Sequence, residues 1–183
     1  KTWNAKSICC FHNAIPHSGN NKLKGEEMNF EEFPKMARLS REIIITEKLD
    51  GTNAQICIGE DGSFQVGSRT RWITPENDNF GFAAWAYENK DELMQLGAGR
   101  HFGEWWGQGI QRKYNMDRKV FSLFNVSRWE HERPACCSVV PTLYRGDFNT
   151  DSVDSALAHL KAFGSMAPPG FMNPEGVVVF HMA

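Results

Sequence analysis

The sequence lacks the cysteine spacings that mark a structural metal site. Its five cysteines are two adjacent pairs, Cys9–Cys10 and Cys136–Cys137, and the single Cys57. No C-x-x-C pair occurs, so we expect no structural zinc site. Adjacent pairs and an odd count also make a poor disulfide framework. We therefore expect reduced thiols and a cytoplasmic protein, because disulfides are rare in that compartment.

A long apolar run is absent as well, and so is an excess of either charge. No stretch approaches the roughly 18 apolar residues of a membrane-spanning helix, and the first residues have no apolar signal-peptide core. We expect no membrane association, and no feature indicates an obligate protein partner. The formal net charge is −2, so nucleic-acid binding would need a local basic patch.

The composition that is present suits one folded domain with a short appendage. The chain has 183 residues, of which 41% are hydrophobic, and it contains six tryptophans. This content can fill a core, and amphipathic aromatic residues also serve wet binding surfaces. Residues 1–27 are polar and irregular, and we interpret them as an N-terminal extension or arm. Residues 28–183 would then form the domain.

Apolar and turn patterns predict strands joined as hairpins, with helices inserted between them. The predicted strands cover residues 42–46, 54–58, 63–68, 100–106, 120–126 and 176–180. Thr74-Pro75-Glu76 is a helix-start signal, and a helix over residues 82–96 is predicted to follow it. A second helix is predicted to begin at Asp151 and to end at Gly164. This order favours an α+β fold with mainly antiparallel sheets.

One lysine, Lys48, lies between the apolar run Ile43-Ile44-Ile45 and the tight turn at Asp50-Gly51. A lysine in such a place can act as a nucleophile once its ammonium group loses a proton, and burial or a nearby cation favours that loss. It can then attack phosphorus and hold a nucleotide as a phosphoramidate. An ordinary strand that ends in a turn with an exposed lysine fits the same residues, because Asp-Gly is a turn signal in any protein.

Two later segments offer groups that suit the phosphates and the ribose of a nucleotide. Arg69 and Arg71 follow a predicted strand, and guanidinium groups bind phosphates well, although a solvated basic loop is the alternative. Glu104 lies between Gly103 and Gly107 on an aromatic strand. It could accept hydrogen bonds from ribose hydroxyls while the glycines let a ligand approach. The alternative for Glu104 is an edge-strand glutamate beside structural tryptophans.

Two further segments offer groups that suit a base and a metal ion. In the predicted strand 120–126, Phe121 falls on one face and Phe124 on the other. One of these rings could stack on a base, which is worth about 1–3 kcal/mol, or both could be core residues. Glu175 precedes the last apolar strand, where its carboxylate could hold a divalent metal ion or simply form part of a turn.

The order of these segments resembles the covalent nucleotidyltransferase superfamily of ATP-dependent DNA ligases, RNA ligases and mRNA capping enzymes. It is most similar to the RNA ligase 2-type branch, over residues 28–180. Residues 47–53, Glu-Lys-Leu-Asp-Gly-Thr-Asn, match motif I, Arg69-Thr70 matches motif Ia, and Phe102-Gly103-Glu104 with Gly109-Ile110-Gln111 matches an extended motif III. Residues 121–126 match motif IIIa, although Asn125 stands where the family usually has aspartate, and Glu175-Gly176 matches motif IV.

The resemblance implies the ATP-grasp-like fold of a ligase adenylation domain, with ATP as the AMP donor and Mg²⁺ or Mn²⁺ as the metal. Lys48 would be the adenylated nucleophile, with Asp50 and Glu175 as further catalytic residues and Glu175 assisting the metal. The implied nucleotide-binding residues are Glu47 at the adenine amino group or beside it, Asn53 and Arg69 at the phosphates or the nucleic-acid end, Glu104 at the ribose, and Phe124 stacked on the adenine.

The implied activity is that of a polynucleotide ligase in RNA repair, with RNA favoured over DNA. Such an enzyme forms Lys48-AMP, transfers AMP to a 5′-phosphate and seals that end to a 3′-hydroxyl. A DNA ligase or a GTP-dependent capping enzyme is the first alternative. A catalytically silent domain that binds nucleotides or nucleic-acid ends is the second.

One motif of the family does not occur in the sequence. No Lys-x-Lys follows the motif IV strand, where the family carries a lysine-rich motif V that neutralises the α-phosphate. We expect either a shortened chain or impaired adenylation, and we favour a shortened chain because the sequence stops mid-strand. Recognition of a nucleic-acid strand would then rest on a basic cluster, unless that cluster is an ordinary solvated loop. Its members are Arg100, Arg112, Lys113, Arg118 and Lys119.

Overall fold

Two β-sheets form the framework of the computed structural model, which describes residues 8–10 and 42–182. The strands are β1 (Ile8–Cys10), β2 (Glu42–Lys48), β3 (Thr52–Ile58), β4 (Phe64–Ser68), β5 (Trp72–Ile73), β6 (Gly99–Gly107), β7 (Lys119–Leu123), β8 (Cys137–Val139), β9 (Thr142–Asp147) and β10 (Gly176–His181). The helices are α1 (Phe82–Glu88), α2 (Lys90–Leu93), α3 (Val126–Trp129) and α4 (Thr150–Phe163), with a 3-10 turn at Met94–Leu96.

The four-stranded sheet has the order β1-β10-β2-β9, and the six-stranded sheet has the order β5-β4-β3-β6-β7-β8. These strands pair antiparallel, apart from β1 with β10 and β7 with β8. The predicted α+β class, with mainly antiparallel sheets and inserted helices, is therefore confirmed.

The four-stranded sheet packs one face against helix α4. Apolar residues of β2, β10 and α4 form a buried cluster, whose members are Ile43, Ile45, Val153, Ala156, Leu160, Val177 and Val179. The Asn149 side chain caps the first turn of α4 by accepting a hydrogen bond from a backbone N–H, and Gly164 ends the helix with φ of 80°. Glycine adopts this left-handed conformation without strain. The helix predicted from Asp151 to Gly164 is confirmed, and it starts one residue earlier.

Helices α1 and α2 cover one face of the six-stranded sheet. Side chains along a strand alternate between the two faces, and the odd-numbered residues of β6 point towards these helices. Trp105 of β6 and Phe121 of β7 are buried there with Phe82 of α1 and Leu93 of α2. The even-numbered Phe102 is 50% exposed on the opposite face. We call that opposite face the open face.

A third buried cluster holds the end of β2 against the six-stranded sheet. Its members are Leu49, Trp106, Tyr114, Val126, Val140 and Phe171. The indole N–H of Trp106 donates to the Ser122 hydroxyl at 2.9 Å, so this buried polar group has a partner. Because Leu49 directly follows Lys48, the packing of this cluster fixes the position of the Lys48 backbone.

The long helix predicted over residues 82–96 is broken at Asn89. Helix α1 ends there because the Asn89 backbone is not helical, with φ of −101° and ψ of 17°, and the Asn89 side-chain amide donates to the Trp85 carbonyl. The helix start predicted at residues 74–76 is also wrong, because this segment forms a turn and a short bridge. Asp78 caps α1 instead, since its carboxylate accepts hydrogen bonds from backbone N–H groups in the first turn.

The strand predicted over residues 120–126 ends at Leu123, three residues early. Asn125 lies outside it and caps α3, because its side-chain oxygen accepts a hydrogen bond from the Arg128 N–H. The sequence patterns did not predict β5, β8 or β9. Pro141 separates β8 from β9 and interrupts the apolar pattern there, since proline cannot donate to a strand ladder.

One segment of the predicted N-terminal arm is a strand, since β1 pairs in parallel with β10. The rest of residues 1–27, and the predicted domain start at residue 28, lie outside the described residues, so the division into arm and domain stays a prediction. Within the described part of the chain, no helix is both long and apolar enough to cross a membrane.

Candidate active site

Lys48 and Glu175 meet where β2 pairs with β10. Lys48 is the last residue of β2, and its partner in the antiparallel register is Gly176, the first residue of β10. Glu175 therefore lies beside Lys48 although they are far apart in the sequence, and the Lys48 ammonium donates a hydrogen bond to the Glu175 carboxylate. The two side chains are 28% and 18% exposed. The ion pair is thus partly buried but still within reach of a ligand.

The turn after Lys48 leads into β3, which pairs with β6 of the six-stranded sheet. The N–H of Gly51 donates to one carboxylate oxygen of Glu104 at 3.0 Å, and the amide of Asn53 donates to the other at 3.2 Å. A Cβ at Gly51 would lie 2.3 Å from the Trp105 carbonyl oxygen, so this close approach requires glycine. Motif I and motif III are therefore joined by direct hydrogen bonds.

Glu104 is a buried carboxylate among these charged groups, with 8% of its surface exposed. Burial raises the pKa of Glu104 to about 7, because the ionised form is poorly solvated. The Gly51 N–H and the charge of Lys48 oppose the rise, whereas the charges of Glu175 and Asp50 add to it. The charged side chains are therefore close enough to influence one another's ionisation.

Arg112, which the sequence places in a basic cluster, contacts the Asp50 turn. Arg112 Nε lies 2.8 Å from the Asp50 carboxylate. Another nitrogen of the same guanidinium donates to the Asn173 carbonyl at 3.2 Å. Because Asn173 lies two residues before Glu175, Arg112 links the two loops on either side of the Lys48–Glu175 pair. No local pattern in the sequence signals this bridge.

Tyr114 is a second residue of the site that the sequence did not reveal. It is buried, and its hydroxyl accepts a hydrogen bond from the Asp50 N–H at 2.6 Å. Burial raises the pKa of Tyr114, so the hydroxyl stays protonated. The chain around it has positive φ angles at Gln111, Lys113, Tyr114 and Asn115, between 41° and 60°. Such strained backbone persists where surrounding contacts fix it, as they do beside Asp50.

Phe124 and Arg69 lie on the surface. Phe124 is 41% exposed, whereas Phe121 on β7 is fully buried, so the two phenylalanines have different environments. The N–H of Phe124 donates to the Phe102 carbonyl at 3.0 Å, which continues the pairing of β7 with β6. Arg69 lies in the exposed loop between β4 and β5. Phe124 and Arg69 are therefore accessible, as residues that bind a ligand must be.

Glu47 differs from the other predicted site residues. It is 1% exposed, and its carboxylate accepts hydrogen bonds from the Ser165 hydroxyl at 2.5 Å and the Met166 N–H at 2.8 Å. Burial raises the pKa of Glu47 despite these bonds. Because neighbouring residues on a strand point to opposite faces, the carboxylate points away from the Lys48 side chain. It holds the loop after α4. The contact of Glu47 with an adenine stays a prediction.

The two glycines that flank Glu104 serve the sheet rather than a ligand. A Cβ at Gly103 would lie 2.4 Å from the Ser122 carbonyl oxygen, and one at Gly107 would lie 2.5 Å from the Arg118 carbonyl oxygen. Gly107 also has φ of 106°. The prediction that these glycines make room for a ligand is therefore wrong, because strand β7 and the residue before it occupy that space.

The predicted basic cluster is divided among separate partners. Arg112 pairs with Asp50, the Lys119 ammonium donates to the Phe80 carbonyl at 2.7 Å, and the Arg100 guanidinium lies 5.6 Å from the centre of the Trp72 ring. These three side chains are engaged with different parts of the fold, so the five residues do not form one patch of free cations.

A family model described as RNA ligase matches residues 41–181, which is most of the chain. No curated protein matches the sequence.

Three solved structures of Naegleria gruberi RNA ligase have a similar fold. An apo mutant has a TM-score of 0.59 at 19% identity, over 78% of this chain and 47% of that one. A mutant with ATP and Mn has a TM-score of 0.58 at 20% identity, over 78% and 46%. The ligase with PPi has a TM-score of 0.57 at 20% identity, over 78% and 47%. The present chain spans just under half the length of those proteins.

Proposed function

Since the chain belongs to the RNA ligase family, we propose that it joins RNA ends in an ATP-dependent reaction that passes through AMP bound to Lys48. The observation that carries the proposal is the contact of Lys48 with Glu175, within electrostatic reach of Glu104. Glu175 orients the Lys48 side chain at the end of a strand and leaves it partly accessible, as a nucleophile must be.

In the first step, Lys48 Nζ attacks the α-phosphorus of ATP. The ammonium must lose a proton before this attack, and the Glu175 carboxylate is the acceptor in contact with it. A P–N bond forms, the bond from the α-phosphorus to the bridging oxygen breaks, and pyrophosphate leaves with the electron pair. Leu49 packs in the core and fixes the Lys48 backbone, so less conformational entropy is lost when Lys48 attacks.

In the next two steps, AMP activates an RNA end and is then released. An oxygen of a terminal 5′-phosphate attacks the phosphorus of the lysyl-AMP, which breaks the P–N bond and frees Lys48. A 3′-hydroxyl then attacks the activated 5′-phosphorus, loses its proton and displaces AMP. Holding two strand ends next to each other is the main task of the protein here, because positioning dominates phosphoryl transfer.

We assign the nucleotide contacts to side chains on the six-stranded sheet and in the loops beside it. Glu104 accepts from the ribose hydroxyls, and Phe124 stacks on the adenine. Asn53, which bonds to Glu104, and Arg69 contact the phosphates or the RNA end. The ion pair of the Asp50 carboxylate with Arg112 and the hydrogen bond of the Asp50 N–H to Tyr114 hold the turn after Lys48 in place.

Carboxylates at this site suit Mg²⁺ or Mn²⁺, which prefer oxygen ligands. The charges of Glu175 and Asp50 both raise the pKa of Glu104, so negative charge is concentrated there. No cluster of three or more metal-ligating side chains occurs in the described residues. We assign Glu175 as a protein ligand, with phosphate oxygens and water completing the coordination, as is usual for Mg²⁺. A bound metal would offset charge on the phosphates.

We place this reaction in RNA repair in the cytoplasm. The free thiols of Cys57, Cys136 and Cys137 support a reducing compartment. The partners of the protein are then RNA strands with a 5′-phosphate and a 3′-hydroxyl.

The test is to incubate the protein with labelled ATP and Mg²⁺ and to separate it by denaturing electrophoresis. We expect an acid-labile AMP adduct that is absent from Lys48→Ala and from Lys48→Arg. The arginine variant is the matched control, because it keeps a cation beside Glu175 but cannot act as the nucleophile. Labelled GTP should give no adduct. An unlabelled wild-type band, or an adduct that survives in Lys48→Arg, would contradict the proposal.

A further inference from the structure

The ladder between β2 and β10 ends at the candidate active site. Its last pair joins Lys48 to Gly176. Beyond that pair the two chains separate, because Lys48 leads through the Asp50 turn into β3, whereas Glu175 comes from the loop that follows α4. The register of this ladder therefore leaves the distance between the turn and the loop open, although the contact of Lys48 with Glu175 depends on that distance.

Arg112 bridges the gap just beyond the last pair. One side of its guanidinium contacts Asp50, two residues after Lys48, with Nε 2.8 Å from the carboxylate. Another nitrogen donates to the Asn173 carbonyl at 3.2 Å, two residues before Glu175. A guanidinium carries several N–H groups in one rigid plane, so a single side chain can set the spacing of two segments. The Nε atom is also buried, which protects this ion pair from screening by salt.

The two segments that Arg112 joins are stiff. Leu49, which lies between Lys48 and the turn, is 5% exposed in the core. Pro174, directly before Glu175, is buried too, and its ring fixes φ at about −65°. A shift of the guanidinium would therefore be transmitted to Lys48 and Glu175 instead of being absorbed by loose backbone.

The loop that presents Arg112 has an unusual backbone. Four of the five residues 111–115 have φ between 41° and 60°. Such a conformation costs free energy in residues with a Cβ, and it persists where surrounding contacts over-determine it. Tyr114 holds the loop, because its ring centre lies 4.7 Å from that of Phe171 and its hydroxyl accepts from the Asp50 N–H. The strain is therefore located where the loop reaches both sides of the site.

We propose that Arg112 is a positioning residue for the formation of lysyl-AMP. It sets the spacing between the Asp50 turn and the loop before Glu175, and thereby keeps Lys48 Nζ against its proton acceptor. The inference rests on the proposed function for the role of Lys48. Arg112 contacts Asp50 and Asn173 rather than a residue assigned to the nucleotide, so its loss should lower the rate of the step and leave the affinity for ATP nearly unchanged.

The first measurement is the rate of AMP adduct formation at a series of ATP concentrations. Arg112→Ala should lower the maximal rate by about tenfold to a hundredfold, because small displacements of a reacting group have effects of that size. The ATP concentration that gives half the maximal rate should stay nearly the same. Arg112→Lys should lie between, since an ammonium keeps the charge beside Asp50 but lacks the second arm that reaches Asn173.

The second measurement needs neither ATP nor activity. Hydrogen exchange of the free protein, read by mass spectrometry of its peptides, reports how firmly the two segments are held. Arg112→Ala should speed exchange by about fivefold both in residues 48–53 and in residues 171–176, as expected for the loss of one polar contact. Exchange in helix α4 should not change.

Arg145→Ala is the matched control. Arg145 forms an ion pair with Glu130 at 3.0 Å and is 40% exposed, and it lies opposite Ile44, four residues along β2 from Lys48. Both measurements at the site should match the unchanged chain. Equal effects of Arg145→Ala and Arg112→Ala would indicate a general loss of stability and would overturn the proposal. If Arg112→Ala does not fold, Arg112→Lys decides the outcome by showing or lacking the same pattern at smaller size.

Two further results would overturn the proposal. A higher ATP requirement with an unchanged maximal rate would make Arg112 a cation that binds phosphate. Unchanged exchange in either segment would show that the bridge does not hold the site together.

The two proposals fail in different ways. If the unchanged chain forms no AMP adduct, the proposed function is contradicted, together with the role of Arg112 in that reaction, whereas hydrogen exchange still decides whether the bridge exists. An adduct that forms equally fast in the unchanged chain and in Arg112→Ala contradicts only the inference about Arg112.

Discussion

The two faces of the six-stranded sheet carry the same kinds of side chain in opposite environments. On the face covered by α1 and α2, Trp105 and Phe121 are almost fully buried. On the open face, Phe102 and Phe124 belong to the same region of the sheet but are about half exposed. One residue of displacement along a strand therefore separates an aromatic residue that stabilises the fold from one that is free to bind a ligand.

Ionisable residues are divided in the same way. His101 belongs to the covered face and Glu104 to the open face, and burial shifts the pKa of each towards its neutral form. Because one is a base and the other an acid, the two faces should respond to pH in opposite directions. The open face is not exposed along its whole length, because the Gly51 turn covers it at Glu104.

The largest difference between the faces should appear in stability. Phe121→Ala removes a fully buried ring and should lower the free energy of unfolding by about 3–5 kcal/mol. Phe124→Ala should change it by less than about 0.5 kcal/mol, as for other surface substitutions, while raising about tenfold the ATP concentration needed for the AMP adduct. Urea denaturation and the adduct assay measure the two effects. A large loss of stability in Phe124→Ala would show that this ring is part of the core, and it would contradict the proposed difference between the two faces.

A somewhat smaller effect should come from Glu104→Gln. The pKa of Glu104 is raised from 4.5 to about 7 in the folded chain, so between these values the folded state holds a proton that the unfolded state releases. The free energy of unfolding should therefore fall as pH rises through this range, by roughly 3 kcal/mol in all. Glutamine still accepts from the Gly51 N–H and should abolish the fall. Urea denaturation at a series of pH values measures it, and an equal slope in the variant would refute the assignment.

The smallest effect, with the opposite sign, should come from His101→Gln. Burial lowers the pKa of His101 below 6.5, although its bond to the Gly97 carbonyl opposes the shift. Just below pH 6.5 the unfolded state then binds the extra proton, so the free energy of unfolding should rise with pH up to that value. Measuring His101→Gln in the Glu104→Gln background separates the two groups. The rise should disappear in the double variant, and its persistence would show that another group causes it.

Much of the framework could be predicted because it depends on local patterns. The run Ile43-Ile44-Ile45 and the Asp50-Gly51 turn identify a buried strand and its end, and the helix from Asp151 to Gly164 has a clear start and stop. The break at Asn89 could not be predicted, because no proline or glycine marks it and the bond of the Asn89 side chain to the Trp85 carbonyl forms only in the folded turn. Strand β9 was missed because it lies at a sheet edge, after Pro141, and lacks an alternating apolar pattern.

The candidate site also contains residues that local patterns identify and residues that only distant contacts reveal. Lys48, Glu104 and Glu175 could be named in advance because each belongs to a short motif, and the structure brings them together. Arg112 and Tyr114 contact Asp50 across the fold, and no spacing in the sequence encodes such contacts. Gly103 and Gly107 have a structural role that only their neighbours on β7 reveal.

The sequence by itself determined on or beside which strands the proposed site residues lie, because alternation and turn residues act over a few positions. Tertiary structure decided the rest. The pairing of β2 with β10 brings Lys48 to Glu175, and the packing of helices on one face decides which aromatic rings stay exposed. Both depend on contacts between distant parts of the chain, whose free energy belongs to the assembled sheets and not to any one segment.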